Sequence, residues 1–81
     1  MRWKKDIMTA LKELGGQAHL SEIYRIVRKH RNERGDTLGE LEAWVRYNLQ
    51  QNSRGKGEDL FEPVYPPEER KGIWRLKRNT P

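Results

Sequence analysis

The side chains best suited to recognition chemistry stand between Thr37 and Ser53, in the stretch TLGELEAWVRYNLQQNS. Wound as a helix, this stretch sets Glu42, Ala43, Arg46, Tyr47, Gln50 and Gln51 on one face. A guanidinium, a phenol and amides on adjacent turns donate and accept hydrogen bonds of the kind that base edges and phosphates offer. Arg46, Tyr47 and Gln50 are the base-facing set of that reading. A second group, Arg28 and Lys29 upstream and Asn52, Arg54, Lys56, Arg70 and Lys71 downstream, suits phosphate contacts. The plainer alternative is a helix with one solvated face, and this stretch alone fits both.

Nothing in the chain has the makings of a catalytic centre. Asp36, Glu58, Asp59, Glu68 and Glu69 form no nuclease-type Asp…Glu-x-Lys arrangement on an evident strand, and there is no compact Ser-His-Asp set. Gly55-Lys56-Gly57 reads as a loop and not as a phosphate cradle. The chain has no cysteine and two histidines. His19 has no acidic neighbour at ligand spacing, and His30 reads as a partly buried stacking residue, so no metal or cofactor is expected. The expectation is a binding module, not an enzyme.

Three helical stripes and two short strands must position these residues. In residues 3–14, Trp3, Ile7, Ala10, Leu11 and Leu14 share one face, and Gly15-Gly16 ends the helix. Gln17 to Leu20 is long enough only for a bridging strand or an extended turn. Ser21 is the N-cap expected for a second helix, about 21–31, whose buried face is Ile23, Ile26, Val27 and His30. Tyr24, Arg25, Arg28, Lys29 and Arg31 are placed to the sides and outward. Residues 32–36, NERGD, read as a turn.

The third helix, about 37–52, is expected to open on a capping box of Thr37 and Glu40 and to bury Leu41, Trp44, Val45 and Leu49. Residues 52–59 form a polar loop. Two strands follow, at about 60–65 and 73–78, in which Phe61, Trp74 and Leu76 point inward and Pro63 belongs at an edge or bulge. The charged loop between them carries Arg70 and Lys71.

Eighty-one residues make one small domain, which buries roughly 60% of the surface its unfolded chain exposes. That leaves room for a binding surface and little for a deep cleft. Lysine and arginine number 17 against 12 aspartate and glutamate, a net charge of +5. A basic surplus favours a polyanionic partner, although a charge of this size is also ordinary for a small soluble domain. No apolar run reaches membrane-spanning length and no signal peptide is visible, so a cytoplasmic setting without membrane contact is expected.

Helix, short strand, helix, turn, helix and a two-stranded hairpin with a basic loop is the layout of a winged helix-turn-helix: mainly α (α+β), one domain over residues 1–81. The segments Ala10 to Val27 (ALKELGGQAHLSEIYRIV), Val45 to Ser53 (VRYNLQQNS), Asp59 to Val64 (DLFEPV) and Gly72 to Leu76 (GIWRL) also resemble a known family. They look like the small winged-helix modules attached to bacterial restriction endonucleases and related defence or mobile-element proteins. More distantly they are similar to the HARE-HTH domains of restriction enzymes, chromatin regulators and the delta subunit of bacterial RNA polymerase. The likeness covers nearly the whole chain, and its motifs are mostly core and turn residues.

That resemblance implies double-stranded DNA binding, with a role in sensing modified bases, as a monomer or weak homodimer or as part of a larger restriction or regulatory protein. Any cleavage chemistry would lie on another domain or chain. Glu40 and Glu42 depart from the pattern, because two carboxylates on the leading turns of a recognition helix repel phosphates; they are expected to face away from the groove. The competing reading is a protein-interaction winged helix docking on a polymerase, a nuclease or a second copy, which that acidic end suits better.

Overall fold

The computed structural model describes residues 3–66, 69 and 71–77. Three helices, α1 (Trp3–Glu13), α2 (Leu20–Arg34) and α3 (Leu41–Gln51), pack on a three-stranded antiparallel sheet of β1 (Gln17–His19), β2 (Phe61–Pro63) and β3 (Ile73–Leu76). The strand order is β1-β3-β2, so the short first strand joins the C-terminal pair in one sheet. Gln17 lies opposite Arg75 and Phe61 opposite Leu76. Pro63 falls on an edge strand, where its missing donor costs no ladder bond.

The core is assembled from the expected stripes. Ile7, Ala10 and Leu11 of α1, Ile23, Ile26 and Val27 of α2, and Leu41, Val45 and Leu49 of α3 close over Phe61 and Trp74 of the sheet. Phe61 is fully buried. Gly15 and Gly16 both take positive φ after α1, and the Gly16 N–H donates to the Leu11 carbonyl at 2.7 Å. The Gly16 carbonyl then accepts from the Leu76 N–H at 2.9 Å, which fastens this turn to β3.

Several boundaries differ from the sequence expectation, each for a local reason. The second helix begins at Leu20, and its N-cap is His19, whose Nδ1 accepts the Ser21 N–H at 3.0 Å; Ser21 is therefore not the cap. The helix runs on to Arg34 and stops where Gly35 takes the left-handed conformation, so most of the expected 32–36 turn is helix. The third helix starts at Leu41, with no side-chain cap bond at Glu40. The Thr37–Glu40 box does not form, because Gly39 at φ 47° breaks the helical path between them and Glu40 itself stands at the N-cap.

Arg31, expected on the outside, is buried. Its Nη1 donates to Asp6 Oδ2 at 2.9 Å, and its guanidinium lies 3.7 Å from the centroid of the Trp3 ring. Arg34 adds two bonds to the Asp6 carboxylate, at 2.7 and 3.0 Å. Asp6 is only 6% exposed. Isolated, such a carboxylate is too costly to bury, and the two guanidinium groups compensate it. His30 is half-buried and stands between the carboxylates of Glu13 and Glu33, joining α1 to α2 rather than stacking.

Candidate nucleic-acid interface

The outward face of α3 is built as the sequence suggested. Glu42, Ala43, Arg46, Tyr47, Gln50 and Gln51 are all exposed, while Leu41, Val45, Asn48 and Leu49 turn inward. Trp44 does not join the buried stripe. Asn48 takes the inward place, donating from its side-chain amide to the Trp44 carbonyl at 2.8 Å, and Trp44 is 42% exposed on the flank. There it stacks on Trp3, with ring centroids 6.4 Å apart, and meets Tyr47 edge-on at 5.9 Å.

Arg46 is steadied from α2. Its Nη1 donates to the Tyr24 hydroxyl at 3.1 Å, and that bond raises its pKa, with a smaller share from the charge of Glu42. Arg28, Glu40, Glu42 and Arg46 line one shallow depression. Glu42 thus shares the face of Arg46 one turn away, contrary to the expectation that it points elsewhere. Lys29 follows Arg28 by about 100° around α2, so the two do not share a direction.

A second depression joins α3 to the far end of the chain. Gln50 and Arg54 form one side of it, and Tyr65, Lys71 and Gly72 the other. The Lys71 Nζ lies 5.5 Å from the Tyr65 ring centroid, a cation–aromatic contact that places this lysine beside the strand connection. The two halves of the proposed contact surface therefore adjoin in space. Arg70 lies outside the described residues.

Asn52 behaves differently from its expected role. It is buried, its Nδ2 donates to the Asn48 carbonyl at 3.0 Å, and its Oδ1 accepts the Glu58 N–H at 3.1 Å. Its carbonyl also accepts from Leu60 and Phe61, at 2.7 and 3.1 Å. With every polar atom committed inward, this side chain organises the loop and does not reach a ligand. The signal was present in the sequence: positions 48 and 52 continue the inward stripe of Leu41 and Val45 at helical spacing.

The loop Asn52 holds is what presents Arg54 and Lys56. Arg54 and Gly55 both have positive φ, and the Lys56 N–H closes a tight turn on the Ser53 carbonyl at 3.0 Å. Both cations are exposed. Lys4 pairs with Glu58 and Lys77 with Asp59, tying the loop to α1 and to the end of β3.

The distribution of charge separates one surface from the others. Arg25, Arg31, Arg34, Arg75, Lys4 and Lys77 each stand against a carboxylate. Among the described residues, the cations without such a partner are Lys5, Lys12, Arg28, Lys29, Arg46, Arg54, Lys56 and Lys71. All but Lys5 and Lys12 belong to the set expected to meet nucleic acid.

Among the described residues, no three histidine, cysteine or acidic side chains gather closely enough to hold a metal ion. No helix of the described residues is long and apolar enough to cross a membrane. Compared with protein-family models, curated proteins and solved structures, the chain matches none.

Proposed function

We propose that the chain is a winged helix-turn-helix module that binds double-stranded DNA. The observation that carries this reading is the grouping of uncompensated cations. Arg54 and Lys71, the latter on the β2–β3 connection, line the depression that holds the exposed Gln50; Arg46 stands one turn before Gln50 on α3, Lys56 is exposed on the loop with Arg54, and Arg28 shares with Arg46 a depression that Glu40 and Glu42 also line. In this arrangement α3 enters the major groove, Arg46 and Gln50 meet base edges, and the other cations meet phosphates on either side. The β2–β3 connection, as the wing, lies along the minor groove or its rim. Tyr47, exposed but turned toward Trp44, sits at the border of this surface. Modified-base sensing in a restriction, defence or regulatory setting is the more specific form of the proposal.

Short duplexes titrated by fluorescence anisotropy at several salt concentrations test it. Neutralising about five phosphates gives a slope of about −4.5 in log K against log salt, and a slope near zero overturns the reading. Arg46→Ala is expected to relax sequence preference by about 1–3 kcal/mol at one base pair. Arg54→Ala is expected to weaken all sequences alike and to flatten the salt slope by about 1. Identical behaviour of the two variants would show that no division between reading and positioning exists. Matched duplexes with and without modified cytosine or methyladenine test the more specific form, which requires a gap of about tenfold or more, or about 1.4 kcal/mol. A module of this size covers only about 600–1,000 Å² on DNA, so a monomer binds modestly.

One observation favours a protein partner as well. The leading turn of α3 carries Glu40 and Glu42 next to two exposed aromatic rings, a combination that repels phosphate and offers apolar surface.

A further inference from the structure

The surface around the start of α3 has its own geometry, adjoining the depression of Arg28 and Arg46 at Glu40 and Ala43. Glu40, Ala43, Trp44 and Tyr47 line a shallow depression on consecutive turns. The Trp44 and Tyr47 rings stand at 86° to each other with centroids 5.9 Å apart, so they make a corner rather than a flat shelf. They are 42% and 54% exposed. Among the described residues the Glu40 carboxylate has no lysine or arginine partner, whereas those of Asp6, Glu22, Asp36, Glu58, Asp59 and Glu62 do. Arg46, the nearest cation along α3, is engaged with the Tyr24 hydroxyl.

The geometry points to a site for a cationic side chain: the lysine ammonium of a basic segment on a partner protein, held between the Trp44 and Tyr47 rings with Glu40 as counter-ion. Aromatic faces attract cations through their quadrupole, and a nearby carboxylate adds charge attraction. The same stack already holds one cation inside the molecule, since the Arg31 guanidinium lies 3.7 Å from the centroid of the Trp3 ring on which Trp44 is stacked. A compact ammonium interacts with both walls of a right-angled corner, whereas a planar guanidinium lies flat on only one. Charge excludes phosphate from the same spot. This site does not rest on the DNA reading, because it is argued from a carboxylate and two rings and not from the cations, although Tyr47 and Glu40 border both surfaces.

The test is a nuclear magnetic resonance titration of the full chain, observing the Trp44 indole N–H and the Tyr47 amide. The probes are an acetylated, amidated pentapeptide with a central lysine, and the same peptide with that lysine Nε-acetylated, at matched ionic strength. Saturable shifts at both reporters are expected from the lysine peptide. Binding by its acetylated form is expected to be about fivefold weaker or less, the factor one exposed cation–aromatic contact supplies. Glu40→Gln, which removes charge without touching the core, should weaken the lysine peptide more than its acetylated form and so narrow the gap, leaving the share that the rings supply. Equal binding of the two peptides by the unmodified protein overturns the proposal, as does an absence of shifts with either. Shifts at these reporters produced by a DNA duplex and by neither peptide also overturn it, and assign the corner to nucleic acid.

Discussion

Asp6→Asn is expected to destabilise this protein by about 3–5 kcal/mol, the range for removing one member of a buried ion network. The carboxylate is almost fully buried and receives three guanidinium hydrogen bonds, one from Arg31 and two from Arg34. Asparagine keeps the shape but leaves the buried Arg31 without its counter-charge. Against a total stability of about 5–15 kcal/mol, the loss is a large fraction, and thermal unfolding should move down by more than about 10 °C. A shift of less than about 3 °C would show that water or another carboxylate compensates Arg31.

The same group sets a pH dependence. Burial pushes the Asp6 carboxyl up, but the hydrogen bonds from Arg34 and Arg31 and their charges outweigh it, and the net pKa lies below the ordinary 3.8. A carboxyl whose pKa is lower in the folded state stabilises the fold fully above 3.8, and that contribution disappears as pH falls through the lower folded value. The unmodified protein should therefore lose stability on acidification below about pH 4, and Asp6→Asn should show less of that loss. Both the mutational and the pH measurement can be made by chemical denaturation followed through tryptophan fluorescence.

Gly57→Ala is the second large effect. A β-carbon at this position would stand 2.5 Å from the Gln51 carbonyl oxygen and 2.5 Å from Asn52 Oδ1, and φ is +55°. The first obstacle is backbone at the end of α3, and the second is an amide fixed by two hydrogen bonds, so neither can swing aside. Left-handed strain of about 1–2 kcal/mol adds to an overpacking cost of similar size, giving about 2–4 kcal/mol. The functional consequence follows from the loop that Gly57 closes. Displacing Asn52 moves Arg54 and Lys56, so affinity for duplex DNA should fall for all sequences even where the variant is fully folded. Gly55→Ala gives the comparison: its φ of +84° is also left-handed, but a β-carbon there meets nothing within 4 Å. If the two variants lose the same stability, the steric part of this account is wrong.

The apolar framework was legible because burial repeats with the period of the element. The stripes of α1 and α2 and the inward Phe61 and Trp74 follow from spacing alone. What was not legible were polar residues standing on those stripes. Arg31 lies four positions after Val27 and Asp6 three after Trp3, so each occupies a core-facing position. Pattern reading assigns charges outward, and only the complementary charge on the other helix makes the inward placement tolerable. Asn48 on α3 and Asn52 just after it differ, since their spacing did signal burial and backbone hydrogen bonds satisfy them. The missed Thr37 cap has a different origin, since Gly39 takes positive φ and the helix starts only after Glu40. Of the residues expected at the candidate interface, Arg28, Lys29, Arg46, Tyr47, Gln50, Arg54, Lys56 and Lys71 are exposed, Asn52 is buried, and Arg70 lies outside the described residues. The acidic start of α3 was legible too, but the exposure of Trp44 on its flank was not, because it depends on the Trp3 ring that α1 brings alongside.

The central position of β3 has a bearing on how this protein is made. Gln17 pairs with Arg75, far away along the chain, and the Leu20 N–H at the head of α2 donates to the Gly72 carbonyl. Helices can form locally as a chain leaves the ribosome, but strands this distant in sequence cannot pair until the last of them has emerged. Lys71 reaches its place beside Gln50 and Arg54 only at that moment. A nascent chain stalled before residue 76 would hold its helical stripes without the sheet that aligns them. The surface that joins Lys71 to Gln50 and Arg54 is thus assembled only once β3 has left the ribosome.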